Sequence, residues 1–256
     1  WEAQSLDFED CNLLNPVELQ PRIEFINPDV IFNTVSWNTE NPAEKQPQEA
    51  LSVNRGLPAF LGGLVKGTPR FLVHYSSDQV FNGRKDSPYT EKADPISLCG
   101  KSRLAGEQAL LELNADNICI IRTGWLFGPD GDSFLKRLLG QAKTEGTVEV
   151  IHDQIGSPTY AKDLAQATLQ LVKRRAPGLY HVANSGQATW CELAAEAVRQ
   201  ASLPCSVRAI ASSDKTLRAS YEVLSSAKYT ALTGCTMRPW SQALREYIYS
   251  VLLASQ

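Results

Sequence analysis

Apolar residues in the first half of the chain fall into short continuous runs separated by longer stretches with helical spacing. Val30-Ile31-Phe32, Phe71-Leu72-Val73-His74-Tyr75 and Ile118-Cys119-Ile120-Ile121 read as buried strands. Asn15-Pro16 opens a helix that ends near Ile26, before the Asn27-Pro28 break. Glu44 to about Val65 reads as a long helix, with Pro47 and Pro58 blurring its limits. A polar loop from Asn82 to Pro95 leads into a helix from about Leu98 to Leu113. Helices alternating with wholly apolar strands predict a doubly wound α/β fold, its parallel sheet covered on both faces. Ligands in such sheets gather beyond the carboxyl ends of the strands. Two polar clusters fall there, Ser76-Ser77-Asp78 and Arg122-Thr123-Gly124-Trp125.

After Trp125 the rhythm loosens. Asp132 to Lys143 reads as a helix, Val148 to Ile151 as a strand, and Asp153 to Tyr160 as a polar loop ahead of a helix from Ala161. A strand near Leu179–His181, a helix from Thr189 and a terminal helix from about Trp240 follow. We divide the chain into a main unit over 1–125, doubly wound like the folds that bind dinucleotides, and, over 126–256, a small substrate lobe partly threaded back into it.

Composition narrows the function classes. The 256 residues are 43% hydrophobic and 21% charged, with formal net charge −3. That balance carries no footprint for nucleic acid or an anionic membrane surface. No apolar run is long enough to span a bilayer, and no charged-then-apolar segment stands at the start. The six cysteines lie far apart without a C-x-x-C pair, so a cytoplasmic setting with reduced thiols is expected. His74, His152 and His181 show no ligand spacing, so no metal site is expected from them. Ser77 lacks the flanking glycines of a hydrolase nucleophile elbow.

Five motifs occur in order: SSDQVFNG from Ser76 to Gly83, Pro88-Tyr89-Thr90-Glu91, CGKSRLAGE from Cys99 to Glu107, RTGW from Arg122 to Trp125, and DQIGSPTY from Asp153 to Tyr160. Together they resemble the dTDP-4-dehydrorhamnose reductase family of extended short-chain dehydrogenases, from about Leu6 to the C-terminal helix. The resemblance implies a Rossmann-like fold and NADPH-dependent reduction of a nucleotide-linked 4-keto sugar on the route to dTDP-L-rhamnose. It places a tyrosine acid at Cys99 and, one helical turn on, a ribose-binding lysine at Arg103. It assigns Ser77 to the reacting carbonyl, Asp78, Gln79, Trp125 and Gln154 to the substrate, and Asp7, Phe8, Val35, Ser36 and Trp37 to the cofactor together with Cys99 and Arg103. Gln79 stands where the family usually has an aromatic residue. NADPH and NADH both remain open, a divalent cation has no visible ligand set, and a homodimer is compatible with the resemblance.

The chain departs from that pattern in ways that bear on activity. The glycine-rich phosphate loop is absent; in the family it lies in a β-α-β unit of about 30 residues ahead of the Leu6-Asp7-Phe8 match, so a preceding N-terminal segment is expected. Ser212 to Tyr221 is shorter than the Pro-rich loop expected there. Cys99 is too short to reach across a nicotinamide, and losing a positioned general acid typically costs about 10²–10⁴-fold, unless a water relays the proton. Arg103 keeps the charge but not the compact ammonium. Blander roles compete with these. Cys99 can be an inert filler, Arg103 a surface partner of Glu107, Trp37 and Trp125 core or rim aromatics, and Asp153, Gln154 and Tyr160 mere loop-ordering residues. A non-catalytic NADP- or nucleotide-sugar-binding subunit, similar to the β subunit of methionine adenosyltransferase, is the alternative function; a redox sensor built on Cys99 is a third.

Overall fold

The computed structural model describes residues 2–37, 46–91, 94–95, 97–131, 133–212 and 219–253. Its centre is a parallel sheet of β1 (Val30–Asn33), β2 (Phe71–Ser77), β3 (Ile118–Thr123) and β8 (Gly178–His181), in the order β1-β2-β3-β8. The register sets Ser77 beside Thr123 and Asn33 beside His74.

The wholly apolar runs follow from two covered faces. Phe71, Val73, Cys119 and Ile121 point to one side, against Leu164, Ala167 and Leu171 of α6 (Ala161–Lys173). Leu72, Ile118 and Ile120 point to the other, against α1 (Pro16–Ile26), α3 (Leu57–Val65) and α4 (Leu98–Glu112). Because side chains alternate along a strand, the same face of α4 receives His74, Ser76 and Arg122 farther along. The Rossmann-like arrangement therefore delivers polar groups from β2 and β3 to one helix.

The long helix expected before β2 is two helices. α2 (Pro47–Leu51) runs into a widened π turn over Ser52–Gly56 before α3; Glu44 lies outside the described residues. Pro58 has no N–H for the carbonyl four residues back, which is that of Asn54. That carbonyl lies against Gly106 of α4, where a Cβ would overlap it.

Beyond Trp125, a second core gathers Leu135, Leu138, Val148, Leu193, Leu244 and Tyr247. It joins α5 (Phe134–Ala142), β5 (Thr147–Ile151), α7 (Trp190–Gln200) and α9 (Trp240–Leu253). The helix expected from Asp132 begins at Phe134, with Ser133 as its N-cap, and Asp132 lies outside the described residues. β4 (Leu126–Phe127) pairs with β7 (Thr159–Tyr160), and β6 (Ile155–Gly156) with β9 (Ala188–Thr189). These two-residue pairings, α8 (Ala227–Thr233) and β10 (Ser206–Ile210), which pairs with β5, went unread in the sequence. The segments are too short, or too exposed, to show a period. No helix among the described residues is long and apolar enough to cross a membrane.

Candidate active site

Everything in the site hangs on the first three turns of α4. Ser97 caps the helix, its hydroxyl accepting from the Gly100 N–H at 3.0 Å. The stripe it buries is Cys99, Gly100, Ser102, Arg103, Gly106 and Glu107, two glycines and four polar or small side chains rather than an apolar seam. Gly100 lets the helix press onto the Gln79 carbonyl, which a Cβ would overlap.

Glu107 anchors this stripe. Its carboxylate accepts from Arg122 Nε at 2.8 Å, from Arg122 Nη2 at 2.5 Å and from Ser76 Oγ at 2.5 Å. Glu107 and Arg122 are 0% and 2% exposed. The alternative of a surface pair between Arg103 and Glu107 is thus set aside, both residues being buried. Glu107 faces the sheet, because β2 and β3 present their polar residues to that side of α4. Arg122 Nη1 also donates to the Glu91 carbonyl at 2.7 Å, lies 3.3 Å from His181 Nε2, and its guanidinium stacks over Phe81. Since Arg122 only donates, His181 accepts at Nε2 and gives its Nδ1 proton to the Tyr89 carbonyl, 3.1 Å away.

Arg103 is buried and close enough to His74 for its charge to act there. Burial, then the Arg103 charge, pushes the His74 pKa down to about 3; burial and then Arg122 do the same to His181. Both imidazoles are therefore neutral in the folded protein. The unfolded chain titrates near 6.5 and takes up protons that the folded state refuses until about pH 3. Stability is thus full above pH 6.5 and is lost as pH falls toward 3. Each histidine contributes a slope of up to about 1.4 kcal/mol per pH unit. Urea unfolding between pH 7 and 4 should show this fall, and His74→Gln should reduce its slope; a flat profile would exclude it.

At the carboxyl end of β2, Ser77 Oγ donates to Asp78 Oδ1 at 2.7 Å and accepts from the Gln79 N–H at 3.2 Å. Asp78 is buried against Gly124, where any Cβ would overlap its carboxylate. Gln79 turns toward α4, and Cys99 Sγ donates to its Oε1 at 3.1 Å. The same sulfur lies 3.4 Å from the Trp37 carbonyl. Trp37 is held in turn by Asn54, whose Oδ1 accepts from the Trp37 N–H at 2.8 Å and whose Nδ2 donates to Ser102 Oγ at 2.9 Å. Asn54 escaped the sequence reading; an asparagine inside a proline-interrupted helix was the only available signal.

Trp125 follows Gly124 in a left-handed conformation, φ 49°, unusual for so bulky a residue. Its indole does not stand open to solvent. It stacks on Trp190 at 3.6 Å with 4° between the planes, and Gly156 lies against its edge. Trp190, half-buried and also missed in the sequence, donates from Nε1 to Gln154 Oε1 at 3.2 Å. The structure thus collects Ser77, Asp78, Gln79, Cys99 and Trp37 in one contact group, and Trp125 and Gln154 around Trp190. Val35 and Ser36 line the segment between β1 and Trp37, with the Val35 N–H on Asn33 Oδ1. Asp7 and Phe8 lie apart in an exposed turn.

Three buried donors around these strand ends, Trp37 Nε1, Thr123 Oγ1 and Trp125 Nε1, have no hydrogen-bond partner among the described residues. Folded proteins rarely leave such groups unpaired, and a bound ligand is one way they are satisfied. A cleft of about 400 Å³ lies elsewhere, between Lys162, Asp163, Arg238 and Glu246. Its charges pair with one another, Arg238 with Asp163 and Glu246, Lys162 with Glu246. No group of three or more His, Cys, Asp or Glu among the described residues is placed to hold a metal ion.

Comparison with known proteins places the fold in a family. The family described as the RmlD substrate binding domain matches residues 1–253. The spore coat polysaccharide biosynthesis protein SpsK of Bacillus subtilis is 34% identical, over 97% of this chain and 88% of its own. A dTDP-4-keto-6-deoxy-D-glucose reductase of Streptomyces niveus is 33% identical, over 93% and 84%. Among solved structures, the dTDP-4-dehydrorhamnose reductase of Clostridium acetobutylicum superposes with a TM-score of 0.91 at 28% identity, covering 96% of this chain and 89% of that one. The enzyme of that name from Bacillus anthracis, in complex with NADP, gives 0.90 at 28%, covering 96% and 88%. This chain belongs to the dTDP-4-dehydrorhamnose reductase family.

Proposed function

We propose that the protein binds NADPH and a dTDP-linked 4-keto sugar at the carboxyl ends of β2 and β3 and reduces the ketone. The observation that carries this reading is the convergence of Ser77, Asp78, Gln79 and Cys99 on one turn of α4, beside three buried unpaired donors. NADPH, when bound, supplies the hydride; the NADP held by the Bacillus anthracis relative supports that choice of cofactor. Arg103 and the Val35–Trp37 segment would hold its ribose end, and Asp7 and Phe8 its adenine. Ser77 Oγ leaves its bond to Asp78 and turns its proton toward the carbonyl oxygen. Trp125, Gln154, Asp78 and Gln79 bound the sugar. With no phenol at position 99, a water that reaches Ser77 or Cys99 delivers the proton. The free thiols fit a cytoplasmic enzyme.

Thermal unfolding with NADPH, dTDP-L-rhamnose or both, followed by an assay of NADPH oxidation with dTDP-4-dehydro-L-rhamnose, tests the reading. Both ligands should raise the melting temperature, as any ligand specific to the folded state does. Turnover should be measurable and fall about 10-fold or more in Ser77→Ala, the loss of one positioned donor. Binding of both ligands without turnover would move the protein to the non-catalytic binding role; no stabilisation by either would remove both.

A further inference from the structure

We propose that Cys99 and Gln79 act as one unit: the thiol fixes the Gln79 carboxamide so that its amide nitrogen donates to an oxygen of the bound sugar. This rests on the nucleotide-sugar reading above. The two positions are those at which the family resemblance implies aromatic side chains, and in this chain their occupants meet, Sγ to Oε1, at 3.1 Å. Neither residue has room to drift. The Gln79 backbone is pinned between Ser77 Oγ, which accepts its N–H, and Gly100, which abuts its carbonyl. Cys99 is 3% exposed and packs with Ala50 and Trp37.

A carboxamide presents an acceptor at one end and two donors at the other, so whatever binds one end decides what the other offers. The thiol has one proton and two acceptors within reach, the Trp37 carbonyl at 3.4 Å and Gln79 Oε1 at 3.1 Å, and the shorter contact is the one to Gln79. Oε1 is thereby committed to α4. Gln79 Nε2 is left with no acceptor among the described residues, in a side chain that is 7% exposed. A donor pair so oriented selects an oxygen-bearing ligand. The sugar of a nucleotide diphosphate supplies one at this end of the sheet, next to Ser77. A carboxamide does not release a proton at neutral pH, so Gln79 acts as a positioning and specificity residue, not as an acid.

Calorimetric titration of the whole chain with dTDP-L-rhamnose and with dTDP separates the sugar's share of the affinity. Gln79→Met, which keeps the size, and Gln79→Glu, which replaces donors by acceptors, should each weaken dTDP-L-rhamnose about five- to tenfold and leave dTDP unchanged. Cys99→Ala should weaken the sugar nucleotide about two- to threefold, and Cys99→Ser, which restores a donor, should recover it. Melting temperatures within about two degrees of the parent would show that the variants fold. The proposal is overturned if both Gln79 variants bind dTDP-L-rhamnose like the parent, or if the alanine and serine variants at position 99 behave alike. If the parent binds neither dTDP compound, the nucleotide-sugar reading itself fails; if it binds dTDP and the sugar adds no affinity, only the present inference does.

Discussion

Replacing Glu107 with alanine should lower the unfolding free energy by about 3–5 kcal/mol, the usual cost of leaving one partner of a buried ion pair alone. The removed carboxylate accepts two hydrogen bonds from Arg122 and one from Ser76, all inside the core. Arg122 would keep the Glu91 carbonyl and the Phe81 ring, neither of which neutralises its charge. The loss is large against the roughly 5–15 kcal/mol by which folded domains are stable. Urea unfolding at neutral pH measures it. The double variant Glu107→Leu, Arg122→Met should recover much of the deficit, because no charge then stays buried without its partner. A single-variant loss below about 1 kcal/mol would mean that water reaches the guanidinium and that the pair is not the anchor of α4.

The second large effect concerns turnover. Cys99→Tyr with Arg103→Lys should raise the rate of NADPH oxidation by about 10²–10⁴-fold, the range that one positioned general acid contributes. Arg103 is already buried on the stripe of α4 that faces β2, so an ammonium placed there would sit beneath a phenol one turn earlier. The phenol must displace the Gln79 amide from Cys99, a side-chain movement that leaves the pinned Gln79 backbone in place. Saturating initial rates of parent and double variant decide the matter. Equal rates, with NADPH and dTDP-L-rhamnose binding retained in both, would mean that a water or Ser77 already supplies the proton as well as a phenol does.

How far the sequence exposed the site can be followed residue by residue. Ser77, Asp78 and Trp125 were legible because a buried strand announces itself by composition, and its carboxyl end is where such sheets place ligands. Cys99 and Arg103 were legible only through the family resemblance, because a spacing of four on a helix is not by itself specific. Glu107 entered the sequence reading only as an alternative surface partner for Arg103, since spacing along one helix says nothing about what β3 brings from the opposite side. Asn54 and Trp190 were missed altogether. Asn54 acts through a π turn that Pro58 induces, and Trp190 meets Trp125 across 65 positions of chain.

Local chemistry therefore determined the alternation of elements, the two-sided sheet and the strand ends at which ligands bind, because periodicity and capping act within a few residues. Tertiary structure alone decided the rest: that α4 buries a polar stripe, that Glu107 pairs with Arg122, and that Cys99 meets Gln79. Those contacts join residues 15 and 20 positions apart, or more, and only packing fixes which face of one element another will see.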